Sequence, residues 1–138
     1  ELAAVEKKKW GLKIADAERL PFPAKSFNVI ISMGLLDYVP SPRRVLSECR
    51  RVLGDPGILV LTMPKRPSLF AFLRTPLGNV VRKQLFGLPP VRHVASREEM
   101  GELLKSTGFD IGSMQSLWST MWVTTAGKTG YENGNRPC

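Results

Sequence analysis

Cysteine is scarce in this chain, and no cysteines are grouped. The 138 residues include two, Cys49 and Cys138, with no Cys-x-x-Cys pair and a single histidine, His93. That count excludes a disulfide framework and a Cys/His zinc site, so no metal is expected, and it suits a reducing compartment such as the cytoplasm. No apolar run approaches the roughly 18 residues of a membrane span. No two glycines stand as Gly-x-Gly, so the dinucleotide fingerprint is missing, and neither Gly-x-Ser-x-Gly nor His-Glu-x-x-His occurs. Gly127-Lys128-Thr129 looks like the end of a phosphate-binding loop, but Trp122 stands where the first glycine of that motif belongs. The chain also starts without Met and without a charged-then-apolar leader, and so reads as an internal or trimmed piece.

What remains is a globular composition of one-domain size. Hydrophobic residues make up 43% and charged residues 23%, with three Trp and six Phe available to a core. The formal charge of +8 is unevenly placed. Residues 1–64 carry ten basic residues against seven acidic, and residues 98–138 carry three against five. Residues 65–97 carry seven basic residues and no acid. A block of this kind implies one face meeting an anionic surface or ligand.

Local patterns predict the elements. Glu1 to Lys9 reads as the tail of a helix, and Leu12-Lys13-Ile14-Ala15 as a short strand ending at Asp16. Pro21 and Pro23 impose a loop. Phe27 to Ser32 is a β-branched run expected to be a strand buried on both faces. Ser41-Pro42 opens a helix whose apolar face holds Val45, Leu46, Cys49, Val52 and Leu53, which makes Cys49 a core residue. Gly54 to Gly57 is a turn, and Ile58 to Met63 a second buried strand, completing a βαβ unit. Within 65–97, Leu69 to Leu73 and the face Leu77, Val80, Val81, Leu85 both read as helical. Ser96-Arg97-Glu98-Glu99 is a capping box for a helix to about Thr107. Two antiparallel strands near 109–117 and 119–126 close the fold, and the tail from Gly127 has a disordered composition.

The chemistry concentrates in Asp16-Ala17-Glu18-Arg19-Leu20-Pro21-Phe22, which leads through Ser26-Phe27-Asn28-Val29 to Ser32-Met33-Gly34. An acid at the carboxyl end of a parallel strand can accept from an exocyclic amine, while the next backbone N–H donates to a ring nitrogen. Ligands of open α/β sheets lie along that edge. The run resembles the class I S-adenosylmethionine-dependent methyltransferases, in particular the small-molecule group that includes quinone-biosynthesis enzymes. Glu48, Arg51-Val52-Leu53 and Pro56-Gly57 match a later pattern of the same family. The resemblance covers residues 1–63 well and 96–126 in pattern only.

The resemblance implies an α/β Rossmann-like sheet, mostly parallel with an antiparallel C-terminal edge, whose first two strands and glycine-rich loop would precede residue 1. Residues 1–126 would form a partial domain, with 65–97 a basic amphipathic lid or insertion and 127–138 a tail. It implies S-adenosyl-L-methionine as cofactor, contacted by Asp16, Ala17, Ser32, Met33 and Gly34, and methyl transfer to a small, apolar or lipid-like molecule. Asp37, Tyr38 and His93 are the candidates for a catalytic base, although a sulfonium methyl needs little more than alignment. As a truncated piece the chain is expected to bind the cofactor weakly and to be inactive, and its unpaired strands invite self-association. Residues 65–97 also leave open a peripheral membrane contact; nucleic acid is not an expected partner. The alternative is a non-catalytic basic module that binds anionic membrane or nucleic acid through 65–97.

Overall fold

The computed structural model describes residues 11–66, 75–87, 91–117 and 120–130. The expected helices at 1–9 and 69–73, most of the tail, and Cys138 lie outside the described residues. Seven elements follow in order: β1 (Phe27–Ser32), α1 (Pro42–Val52), β2 (Leu53–Pro64), α2 (Pro76–Phe86), α3 (Arg97–Ser106), β3 (Phe109–Leu117) and β4 (Met121–Lys128). They build an α/β structure around one mixed four-stranded sheet of order β1-β2-β4-β3. β1 and β2 are parallel, as the βαβ reading requires, and β4 and β3 add the antiparallel edge. The chain passes β2 once to lay down β3, then returns so that β4 fills the space between them. β4 runs on through Gly127 and Lys128, which pair with Ile58 and Phe109, so the strand extends two residues beyond the expected start of the tail.

The helix ends obey their local signals. Ser41 Oγ accepts from the Arg44 N–H at 3.4 Å and Pro42 opens α1. At α3 the box is reciprocal: Ser96 Oγ accepts from the Glu99 N–H (3.2 Å), and Glu99 Oε2 accepts from the Ser96 N–H (2.8 Å). Val45, Leu46 and Cys49 of α1, with Met100 and Leu104 of α3, pack onto one sheet face against Leu59, Leu61, Met63, Phe109, Trp122 and Ala126. Burial among these side chains raises the Cys49 thiol pKa to about 11, which leaves it an inert core residue.

Two strand expectations are corrected. Residues 12–15 form no strand, and Leu12 and Ile14 stand fully exposed. A strand exists only through a ladder, and no described strand lies beside this segment. β1 is not buried on both faces either: Val29 and Ile31 are 52% and 64% exposed. The helices cover only the other face of the sheet, and β1 is an edge strand among the described residues. The turn at 54–57 is drawn into β2 as an irregularity, because Phe27 pairs with Leu53 while Val29 pairs with Ile58. Gly57 is needed there, since a Cβ on it would lie 2.6 Å from Gly54 O.

Candidate functional site

The carboxyl ends of β1 and β2 release two long connections, and these form the site. The first, Met33 to Pro40, begins with Gly34 in the left-handed region (φ +60°), where its N–H donates to Thr62 Oγ1 at 2.9 Å. Ser32, just before it, is buried, and its Oγ has no partner among the described residues. Met33 is exposed and Leu36 is buried in the core. The backbone is thus fixed from below by Thr62 and Leu36 while the Ser32–Gly34 wall stays open above.

The second connection leaves β2 at Lys65 and returns at Ala95, and its two ends are sewn together. Arg66 N–H donates to Ala95 O (3.0 Å) and Ala95 N–H to Pro64 O (3.0 Å). Trp122 Nε1–H donates to the same Ala95 carbonyl at 3.0 Å, and Lys65 Nζ lies 4.8 Å from the Trp122 ring centroid. On the way back the chain crosses the first connection: the N–H groups of Arg92 (2.7 Å) and His93 (3.2 Å) both donate to Asp37 O. His93 Nε2 is 2.9 Å from Val39 O. A carbonyl only accepts, so Nε2 carries the proton and Nδ1 is the acceptor of the neutral ring. The three candidate bases are therefore brought together: Asp37 and Tyr38 on one loop, His93 on the strand of chain hydrogen-bonded to it. Below them a cavity of about 410 Å³ is lined by Pro40, Arg43, Met63, His93, Glu99 and Leu103, among others.

The Asp16 side of the site hangs on α1. Asp16 Oδ1 accepts from the Glu18 N–H (2.9 Å) and Asp16 O from the Arg19 N–H (3.0 Å), closing a tight turn. The remaining carboxylate oxygen of this exposed acid, and the Ala17 N–H, form no hydrogen bond with the described residues. Glu18 Oε1 then accepts from the Ser41 N–H at 2.8 Å, which ties the turn to the far end of the Met33–Pro40 loop. Leu20 and Phe22 are held from beneath. Glu48 Oε2 accepts from the Leu20 N–H (2.8 Å), and Arg51 donates to Leu20 O (2.9 Å) and Phe22 O (2.8 Å). Hydrogen bonds from Arg51 lower the Glu48 pKa, and the same contact raises that of Arg51.

The two motifs read separately from the sequence are thus the two halves of one clamp. Glu18 and Thr62 were not singled out by sequence, and nothing in their spacing marks them. Their importance comes from the partner each meets across the fold. The open acceptor at Asp16, the open donor at Ala17 and the orphaned buried hydroxyl of Ser32 suit a polar heterocycle, so the chemistry of the donor set fits an adenosyl group. Among the described residues, no cluster of side chains could hold a metal ion, and no helix is long and apolar enough to cross a membrane.

Residues 1–61 match a family described as a methyltransferase domain. Over 55 residues the chain is 38% identical to the chloroplastic 2-methyl-6-phytyl-1,4-hydroquinone methyltransferase 2 of Oryza sativa subsp. japonica, a match spanning 40% of this chain and 16% of that one. It is 27% identical over 107 residues to the ubiquinone biosynthesis O-methyltransferase of Hahella chejuensis, covering 76% of this chain and 42% of the relative. The chain therefore spans less than half the length of these relatives. Its fold is shared with a SAM-dependent methyltransferase from Aquifex aeolicus (TM-score 0.62, 17% identity, 84% of this chain and 53% of that one). It is shared equally with the 4+2 cyclase SpnF (TM-score 0.66, 20% identity, 85% and 55%).

Proposed function

We propose that the chain, which matches a methyltransferase domain over residues 1–61 and resembles the class I S-adenosylmethionine-dependent methyltransferases, is part of an enzyme methylating a small, apolar or lipid-like molecule in the cytoplasm. The observation that carries this reading is the paired vacancy of hydrogen-bonding capacity at Asp16 and Ala17, an acceptor next to a donor. That pair matches the exocyclic amine and adjacent ring nitrogen of adenine. Ser32, Met33 and Gly34 supply the opposite wall.

When bound, S-adenosyl-L-methionine supplies a methyl group already activated on a sulfonium. The work left to the protein is alignment, which can contribute on the order of 7–11 kcal/mol. The Glu48–Arg51 clamp and the Glu18–Ser41 bond fix the Asp16 turn, and Thr62 fixes Gly34. His93 is the best placed of the three bases: its Nδ1 can take a proton while Nε2–H stays on Val39 O. The described residues offer these contacts to one side of the cofactor, so we expect weak cofactor binding and no turnover from the 138 residues alone. The open edge of β1 favours self-association of this piece. The tail from residue 127 is proposed to take no part in the site.

The test is a calorimetric titration of S-adenosylmethionine into the full-length protein and its Asp16→Ala variant. Loss of one or two hydrogen bonds costs roughly 1–3 kcal/mol, or about 5- to 150-fold in affinity. Equal affinity in a folded variant would remove Asp16 from the site. Absence of any cofactor binding by the full-length protein would favour the alternative, a non-catalytic basic module.

A further inference from the structure

The sheet's basic excursion contains a helix with an unusual exposure. Thr75 stands just before α2, its Oγ1 accepting from the Gly78 N–H at 3.1 Å, and Gly78 is buried. The helix nonetheless leaves its larger apolar side chains open: Leu77 is 66% exposed, Val80 51%, Val81 37% and Leu85 70%. Leu77, Val81 and Leu85 recur every four residues, so they form one line along the helix with Val80 beside it. α2 packs only slightly against the other described elements. A lid closed over a substrate would turn this stripe inward, and here it faces solvent.

The surroundings say what kind of surface would cover it. The excursion from Lys65 to Ala95 holds six basic residues and no acid, so an acidic partner is attracted and a basic one repelled. Exposed Lys83 lies one turn on from Val80 at the edge of the stripe, and Arg92 is exposed further along the same connection. The stripe itself is aliphatic and has no ring on which a nucleic-acid base could stack. Aliphatic residues along one face, cations around them and modest overall hydropathy describe a helix that lies in a bilayer interface.

We propose that α2 docks on an anionic phospholipid surface, laying Leu77, Val80, Val81 and Leu85 between the headgroups while the surrounding lysines and arginines meet lipid phosphates. The sewn base at Lys65, Arg66 and Ala95 fixes both ends of the connection that carries the helix at the carboxyl end of β2. An apolar molecule dissolved in the bilayer would then be presented near the site edge. The docking itself does not depend on methyl transfer.

Co-sedimentation of the purified 138-residue chain with lipid vesicles tests this without cofactor or substrate. Vesicles of phosphatidylglycerol and phosphatidylcholine in equal parts should bind the chain, with affinity falling as salt rises, and pure phosphatidylcholine should bind it weakly. The double substitution Leu77→Gln and Leu85→Gln should lower partition at least about tenfold with an unchanged circular dichroism spectrum, since both side chains are already in water. Lys83→Glu, which leaves the stripe intact, should lower it by fivefold or more, about fivefold being the usual loss for one cation at such a surface. Three results would overturn the proposal: no preference for anionic vesicles, equal partition of the wild-type and stripe variants, or tighter binding to a single-stranded oligonucleotide than to vesicles.

Discussion

One nitrogen of Arg51 serves two partners: Nη2 lies 2.8 Å from Glu48 Oε2 and 2.9 Å from the Leu20 carbonyl. Glu48 in turn accepts the Leu20 N–H, so both backbone groups of Leu20 are answered by side chains one helical turn apart on α1. A proline-bounded loop has no ladder to satisfy its peptides, and α1 supplies the partners instead.

Glu48→Ala should therefore destabilise the fold by more than a surface substitution does. It leaves the Leu20 N–H without its acceptor and frees Arg51, a loss on the order of 1–2 kcal/mol. Glu48→Gln keeps an acceptor and should fall between the two. Urea unfolding of the three proteins measures this ordering, and a midpoint for Glu48→Ala equal to wild type would contradict the clamp.

Acid should act on a second place. Lys25 Nζ (2.7 Å) and Lys128 Nζ (2.9 Å) each hold one oxygen of Asp55 and lower its pKa from 3.8 to about 2. A depressed carboxylate stabilises the fold above its unfolded pKa, and that stabilisation is lost as pH falls from near 4 through 2. Melting temperature against pH should drop over that window. Asp55→Asn should flatten the drop and lower stability at neutral pH, and raised salt should mute both effects because the acid is solvent-facing.

Gly57→Ala is expected to be one of the most damaging single-atom additions outside the core. The new methyl would meet Gly54 O at 2.6 Å and Leu53 Cδ1 at 2.8 Å, and the backbone atom cannot swing aside. Overpacking of this kind costs about 1–3 kcal/mol. Thermal denaturation beside Gly101→Ala, where the nearest atom is 3.6 Å away, supplies the control. Equal melting temperatures for the two variants would show that the 54–57 segment can relax.

The βαβ unit, both helix caps and the closing pair of strands were legible in the sequence because each is written in neighbouring residues. Ser41-Pro42 and Ser96 to Glu99 act within one turn, and Ile58 to Met63 reads as a strand in any context. What was not legible depends on distant partners. Leu12 to Ala15 has the residues of a strand, yet the described sheet gives it no ladder. Phe27 to Ser32 has the residues of a buried strand, yet only one of its faces meets a helix. At the site, Ser32 could be picked out as chemistry at a strand end, whereas Asp16 was marked by its motif alone, since no strand leads into it among the described residues. The meeting of His93 with Asp37 and Val39 could not, because it depends on how a chain more than fifty residues further on folds back.

The sewing of Lys65 and Arg66 to Ala95 has a consequence for how such a protein can change. Everything between those residues begins and ends at a doorway closed by backbone hydrogen bonds and by Trp122. The entropy of closing a loop grows only with the logarithm of its length, so doubling the excursion adds about 0.6 kcal/mol. The doorway is indifferent to what is hung from it. A lineage could exchange one attachment for another of different size while the sheet, the clamp on Leu20 and the Asp16 turn stay as they are, and a graft across residues 67–90, which spares the bonds of Arg92 and His93 to Asp37, is the place to make such an exchange without refolding the rest.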